Sequence, residues 1–252
     1  MRLVLASTPR SGNTLLRGLL AGVYGLQQFA VHDVADLDWR NLPMRSIVQI
    51  HWHRTASFLQ LLEDNSFRPI TIARHPFDVL LSILHFSSRE PATRRWLLGE
   101  GGDEASIHGA NPMQQEFARY ATGGRAGKLL SITPQWWRDG AVIKLRYEDL
   151  VRDTARTLQV LESEFGPPLA DTTQVIAQHA LDELRTSSSN MHFWQGTPGL
   201  WKSLLTNDVA HAIAAAHPDV FATLDYPTEQ DRWPGEHDVN SAWVRVAIPL
   251  PA

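Results

Sequence analysis

Short apolar runs alternate with helix-patterned segments, and that alternation restricts the fold more than any other feature of the chain. Leu3–Ala6, Ile47–Ile50, Pro69–Ala73 and Ala141–Leu145 are four or five residues long, partly β-branched, and bounded by polar or turn residues. Such runs read as buried strands. Helical spacing follows them: Thr14–Tyr24 after the first, Thr55–Asp64 after the second, and Phe77–Phe86 with Val79, Leu80, Ile83 and Leu84 on one face. Leu150, Thr154, Leu158, Leu161 and Phe165 recur at a spacing of about 3.6, and Gly166-Pro167-Pro168 stops that helix. The pattern predicts an α/β fold of three layers, a central parallel sheet flanked by helices. Residues 1–252 read as a single domain, with 99–111 as a Gly-rich loop insertion and 227–252 as a Pro-rich C-terminal tail.

Composition removes several function classes. The chain has no cysteine, so disulfides, thiolate nucleophiles, iron–sulfur clusters and Cys-ligated zinc are excluded. No HExxH-type cluster is present, and no metal is expected. The formal net charge is −4, which argues against sequence-independent nucleic-acid binding but leaves room for a local anion site. The stretch Leu15 to Leu26 is broken by Arg17 and glycines, so no membrane span is expected. With no signal-peptide pattern at the N-terminus, a cytoplasmic location is the expectation.

Two motifs stand at strand–helix junctions. Thr8-Pro9-Arg10-Ser11-Gly12-Asn13-Thr14 follows the first strand. A strand–loop–helix unit aims backbone N–H groups and the positive helix end at one spot, which suits a phosphate. Ser11, Asn13 and Thr14 add donors, Gly12 permits close approach and Arg10 adds charge. The plainer alternative is a capped helix start, with Asn13 or Thr14 as N-cap. The loop is not a Walker A sequence, because it lacks the second glycine and the Gly-Lys-Ser/Thr ending. The second motif is Arg74-His75-Pro76-Phe77-Asp78 with Ser82 further along. Arg74 leaves a strand at its C-terminal end, where α/β sheets bind ligands. Its alternative is a structural Arg74–Asp78 ion pair.

Together these motifs resemble the family of sulfotransferases that use 3′-phosphoadenosine 5′-phosphosulfate (PAPS). That family carries a Pro-Lys/Arg-Ser-Gly-X-Thr loop for the 5′-phosphosulfate and an Arg-X-Pro-X-Asp-X-X-X-Ser segment for the 3′-phosphate; Pro9–Thr14 and Arg74–Ser82 fit without a gap. Leu145-Arg146-Tyr147-Glu148-Asp149-Leu150 is similar to the family's Tyr-Glu-Asp-Leu segment, and Gly196-Thr197-Pro198-Gly199-Leu200-Trp201-Lys202 to its closing loop. The resemblance implies a P-loop NTPase-like fold and sulfuryl transfer from PAPS to a small-molecule, carbohydrate or natural-product acceptor. It places Arg10, Ser11, Gly12, Asn13, Thr14, Arg74, Ser82, Tyr147, Thr186, Gly196 and Lys202 at the cofactor. Arg10 would also steady charge on the departing oxygen.

His51 ends the second apolar run. An imidazole with near-neutral pKa at a strand tip can act as general base, or can be a hydrogen-bonded structural histidine. The resemblance favours the base and puts His51 in the family's catalytic slot, with His53 the next candidate. Trp52, His53 and Trp194 are expected near the acceptor. Several residues depart from the family pattern. Gln49 stands where a lysine is usual, Leu15 where a tryptophan often stacks on adenine, and Trp194-Gln195 where the closing loop carries Arg-Lys. Arg185 or Lys202 are candidates to compensate. A degenerate fold that serves as a binding module, and a P-loop nucleoside or nucleotide kinase, remain as alternatives.

Overall fold

The computed structural model describes residues 1–87, 93, 104–180, 183–184 and 194–247. Five strands form one parallel sheet: β1 (Arg2–Ala6), β2 (Gln27–Val31), β3 (Ser46–Ile50), β4 (Arg68–Ala73) and β5 (Ile143–Arg146), in the order β2-β3-β1-β4-β5. Helix α1 (Asn13–Tyr24) joins β1 to β2, α2 (Ala56–Asp64) joins β3 to β4, and α3 (Pro76–Ser87) follows β4. The helices α4 (Gln115–Thr122), α5 (Gly124–Leu130) and α6 (Ile132–Trp137) precede β5. After it come α7 (Tyr147–Arg152), α8 (Thr154–Phe165), α9 (Thr172–Gln178), α10 (Trp201–Leu204), α11 (Asn207–Ala216), α12 (Pro218–Leu224) and α13 (Glu236–Ala247).

The strands alternate between two apolar layers, as the period of two requires. Leu3, Leu5, Ile47, Ile70 and Ile72 pack with α1, α8 and α9 residues such as Leu16, Leu161 and Val175. Val4, Ala6, Val48 and Ile50 face the other way, toward Phe58, Phe77, Leu129 and Trp136. This is the expected three-layer α/β architecture. Because the central strands are buried on both faces, their sequences are continuous apolar runs rather than alternating ones.

Four features differ from the sequence expectation. Strand β2 was not expected, since the apolar run in Gln27-Gln28-Phe29-Ala30-Val31 is only three residues long; it is an edge strand, largely exposed. The helix expected from Leu150 to Phe165 is two helices, because the Asp153 side chain accepts the Arg156 N–H at 2.8 Å and starts α8 afresh. The second half of the 99–111 insertion is not a surface loop. Glu104–Ile107 forms a 3-10 turn whose buried Glu104 pairs with Arg125 at 2.9 Å. The C-terminal stretch is not an extended tail either, for α13 buries Val239, Ala242 and Trp243. Among the described residues no helix is long and apolar enough to cross a membrane, and no cluster of His, Asp and Glu could hold a metal ion.

Candidate active site

The loop after β1 is fixed from below. Thr8 N–H donates to Thr133 Oγ1 at 2.8 Å, its hydroxyl donates to the Leu129 carbonyl at 3.0 Å, and Ser7 Oγ accepts from Ile72 N–H at 3.0 Å. Arg10 and Gly12 both take the left-handed backbone region, with φ 66° and 96°. Glycine is required at 12 for a second reason: a Cβ there would lie 2.4 Å from Tyr147 Cδ2. Gly12, not Asn13 or Thr14, is the N-cap of α1. Asn13 is the first helical residue, and its Nδ2 donates to the Thr8 carbonyl at 2.9 Å. Among the described residues no side chain caps this helix start, and the positive end of a helix attracts anions.

The second motif meets the first. Arg74 Nη1 donates to the Arg10 carbonyl at 3.1 Å, and Arg10 Nε donates to Ser82 Oγ at 3.1 Å. The Arg10 guanidinium lies 4.2 Å from the Phe86 ring centre, and that of Arg74 lies 4.5 Å from the ring of Tyr147. Loss of hydration, with Arg74 nearby, pushes the Arg10 pKa down to about 9. Arg74 is buried and its Nε has no partner. Asp78 forms no ion pair with it; the carboxylate instead accepts Gly199 N–H at 2.6 Å and Trp201 N–H at 2.9 Å. It thereby fastens the late loop to α3. Tyr147 adds a second tie, donating its hydroxyl to the Gly196 carbonyl at 2.6 Å.

His51 is buried at the end of β3, with Nδ1 2.8 Å from the Ser7 carbonyl oxygen. A carbonyl can only accept, so Nδ1 carries the proton and Nε2 carries the basic lone pair. Burial chiefly, then the charges of His32, Arg10 and Arg17, bring the His51 pKa down to about 4 despite the Ser7 contact. The imidazole is therefore neutral at pH 7.

These groups line one cavity of about 880 Å³. Arg10, Gly12, Asn13, Thr14, Arg74, Ser82, Tyr147 and Gly196 reach it, as do His51 and Trp194. Ser11 is buried beneath the loop and is not part of the lining. Neither are Trp52, His53 and Lys202. The Trp52 carbonyl accepts Trp136 Nε1–H at 2.8 Å, His53 Nε2 lies 3.0 Å from the Lys128 carbonyl, and exposed Lys202 rests 5.8 Å from the Trp201 ring centre. Thr186 and Arg185 lie outside the described residues. Sequence reasoning did not single out Arg17, His32 and His179, which also line the cavity. Their convergence depends on strand order and on the edge strand β2. The lining thus holds three arginines and three histidines, and among the described residues no Asp or Glu. Its volume is that of a small-molecule site.

A second histidine shares the burial of His51. His75 stacks on Trp201 with ring centres 4.7 Å apart, and burial lowers its pKa to about 3. Both side chains titrate near 6.5 when unfolded. Between pH 6.5 and 4 the unfolded chain therefore binds more protons than the native one, so stability falls as pH drops through that window. At pH 5 each depressed imidazole removes about 2 kcal/mol. The expected fall in Tm from pH 7 to 5 is roughly 10 °C by differential scanning fluorimetry. The slope should shrink in His75→Phe, and a profile that is flat in the native sequence contradicts the assignment.

A family model for the sulfotransferase domain matches residues 1–220. No curated protein matches the sequence. Among solved structures, a mouse sulfotransferase complexed with PAP, the desulfated form of PAPS, has a TM-score of 0.63 at 14% identity, over 90% of this chain and 89% of that one. Retinol dehydratase in complex with androsterone and PAP gives 0.60 at 14% identity, over 92% and 84%. The same enzyme with retinol and PAP gives 0.58 at 15%, over 93% and 84%. At such identities the likeness establishes a common fold. The family match spans every motif assembled at the cavity, and on that match the chain belongs to the sulfotransferase domain family.

Proposed function

We propose that this protein moves the sulfuryl group of PAPS to a hydroxyl, or an amine, of a small-molecule, carbohydrate or natural-product acceptor. The observation that carries this reading is a lining with three arginines and, among the described residues, no carboxylate and no side-chain cap on the start of α1, together with the unpartnered Arg74 Nε. A polyanion fits these groups and a neutral ligand does not. The fold relatives crystallised with PAP point the same way.

PAPS supplies an activated sulfuryl group joined to a phosphate leaving group. Arg10, Gly12 and the loop N–H groups would hold its 5′-phosphosulfate. Arg74 and Ser82 would hold the 3′-phosphate, and Tyr147 with the Gly196 loop would border the adenosine. Transfers of this kind have a loose, in-line transition state, so positioning and charge compensation are the protein's main contribution. His51 Nε2 would accept the hydroxyl proton while the acceptor oxygen bonds to sulfur and the sulfur–phosphate oxygen bond breaks. Bound anionic charge offsets the surrounding cations and raises the His51 pKa toward the working range. The apolar lining of Leu19, Phe86 and Ile176 suits a hydrophobic acceptor, in keeping with the androsterone and retinol held by the structural neighbours.

Thermal shift with PAP, PAPS and ATP, followed by labelled-sulfate transfer from PAPS to a panel of sugars, phenols and alcohols, tests the proposal. PAP at a hundred times its Kd should stabilise the fold by about 2.7 kcal/mol. Stabilisation by ATP in preference to PAP favours a kinase. Stabilisation by PAP without transfer to any acceptor favours a binding module.

A further inference from the structure

The cavity wall contains a guanidinium that the mechanism above leaves unused. Arg17 lies one turn into α1, and helical side chains lean toward the N-terminus, here the Gly12 end. Its Nε donates to Gln28 Oε1 at 3.0 Å and its Nη1 to Gln49 Oε1 at 3.0 Å. The two glutamines stand on the adjacent strands β2 and β3, and Gln49 is two residues before His51. Both partners are neutral amides. Among the described residues Arg17 has no carboxylate partner and Nη2 makes no hydrogen bond. Its charge is one of those that hold His51 neutral, which places it within Coulombic reach of the proposed base.

A guanidinium used only to tie α1 to the sheet would be better served by Asp or Glu, which strengthen such bonds about twofold. Amide oxygens fix the plane of the group and leave its full charge for a ligand. The planar fork also suits a tetrahedral oxyanion better than a lysine does. Gln28 and Gln49 thus bracket the guanidinium from two adjacent strands.

Resting on the sulfotransferase reading, we propose that Arg17 contacts the sulfonate oxygens of the donor beside His51, with Gln28 and Gln49 as its positioning residues. PAP differs from PAPS in lacking that sulfonate, so a binding comparison isolates the contact without any acceptor. In Arg17→Ala, titration calorimetry should show PAPS affinity lowered about tenfold with PAP affinity unchanged. Turnover with an acceptor that the native protein uses should fall about 100-fold. Arg17→Lys should recover much of the PAPS affinity and only part of the rate. Gln49→Ala, which frees one side of the fork, should lower turnover less than Arg17→Ala and leave PAP binding intact. Equal losses for PAP and PAPS, or no loss for either, overturn the inference; Arg17→Lys provides the same comparison if Arg17→Ala does not fold. Failure of the native protein to bind PAP at all is a different result, which overturns the donor assignment itself and the Arg17 contact with it.

Discussion

Replacing His51 with Ala is expected to cut turnover by about 10²–10⁴ while PAP binds as before. The ring nitrogen that faces Ser7 is committed as a donor to a carbonyl, so only Nε2 can take a proton. The residue is buried at a strand tip, in a wall shared with Arg10 and Arg17. Removing the imidazole leaves the cations in place, and binding of a polyanion should survive or improve slightly, since partial positive charge is not what this neutral ring contributes. The measurement pairs single-turnover sulfate transfer with PAP titration of the same preparation. Full activity in the variant assigns the proton to another group. His53 is poorly placed for that task, because its Nε2 lies against the Lys128 carbonyl and Ser131 Oγ. His51→Asn, which can still donate to the Ser7 carbonyl, separates loss of the base from loss of the fold.

Arg74→Ala should raise the Kd for PAP about ten- to a hundredfold, as expected for a charge-assisted contact of about 1.5–3 kcal/mol. The discriminating control is adenosine 5′-phosphosulfate, which has no 3′-phosphate; its affinity should change far less. A uniform loss for both ligands would mean that Arg74 acts through the loop, by releasing the Arg10 carbonyl, rather than through the 3′-phosphate. Arg74→Lys can retain the charge but not the stacking on Tyr147, and should fall between the two. Unchanged PAP binding in Arg74→Ala removes the residue from the donor site.

Much of this was legible in the chain, for identifiable reasons. Val4, Val48 and Ile72 are buried on both faces of the sheet, so their strands announce themselves as apolar runs. Gln27–Val31 has one exposed edge and an apolar run of only three residues, so β2 stayed hidden, and with it Gln28 and His32. The Arg10 and Arg74 motifs were readable because each sits next to its own strand end, where local sequence order fixes geometry. Arg17 reads in the sequence as an interruption in an apolar helix; its two glutamine partners are visible only when β2 and β3 are set side by side. Lys202 was expected at the cavity as a replacement cation, but it is exposed, with its ammonium 5.8 Å from the Trp201 ring centre. Asp78 looked like a partner for Arg74 because the two are four residues apart, yet the backbone N–H groups of Gly199 and Trp201, more than a hundred residues later, hold it instead.

The last described helix has a bearing on the pocket that its position in the chain conceals. Trp194 stacks on His85 and donates its indole N–H to the Val246 carbonyl at 2.7 Å, so one wall of the cavity hangs from α13. Docking of that helix and occupancy of the pocket are then thermodynamically linked. A ligand that draws the 194–198 segment inward tightens the helix against the body, and a fusion or cut that loosens the helix weakens the ligand in equal measure. Protease resistance around residues 236–247 thus becomes a readout of whether the cavity is occupied.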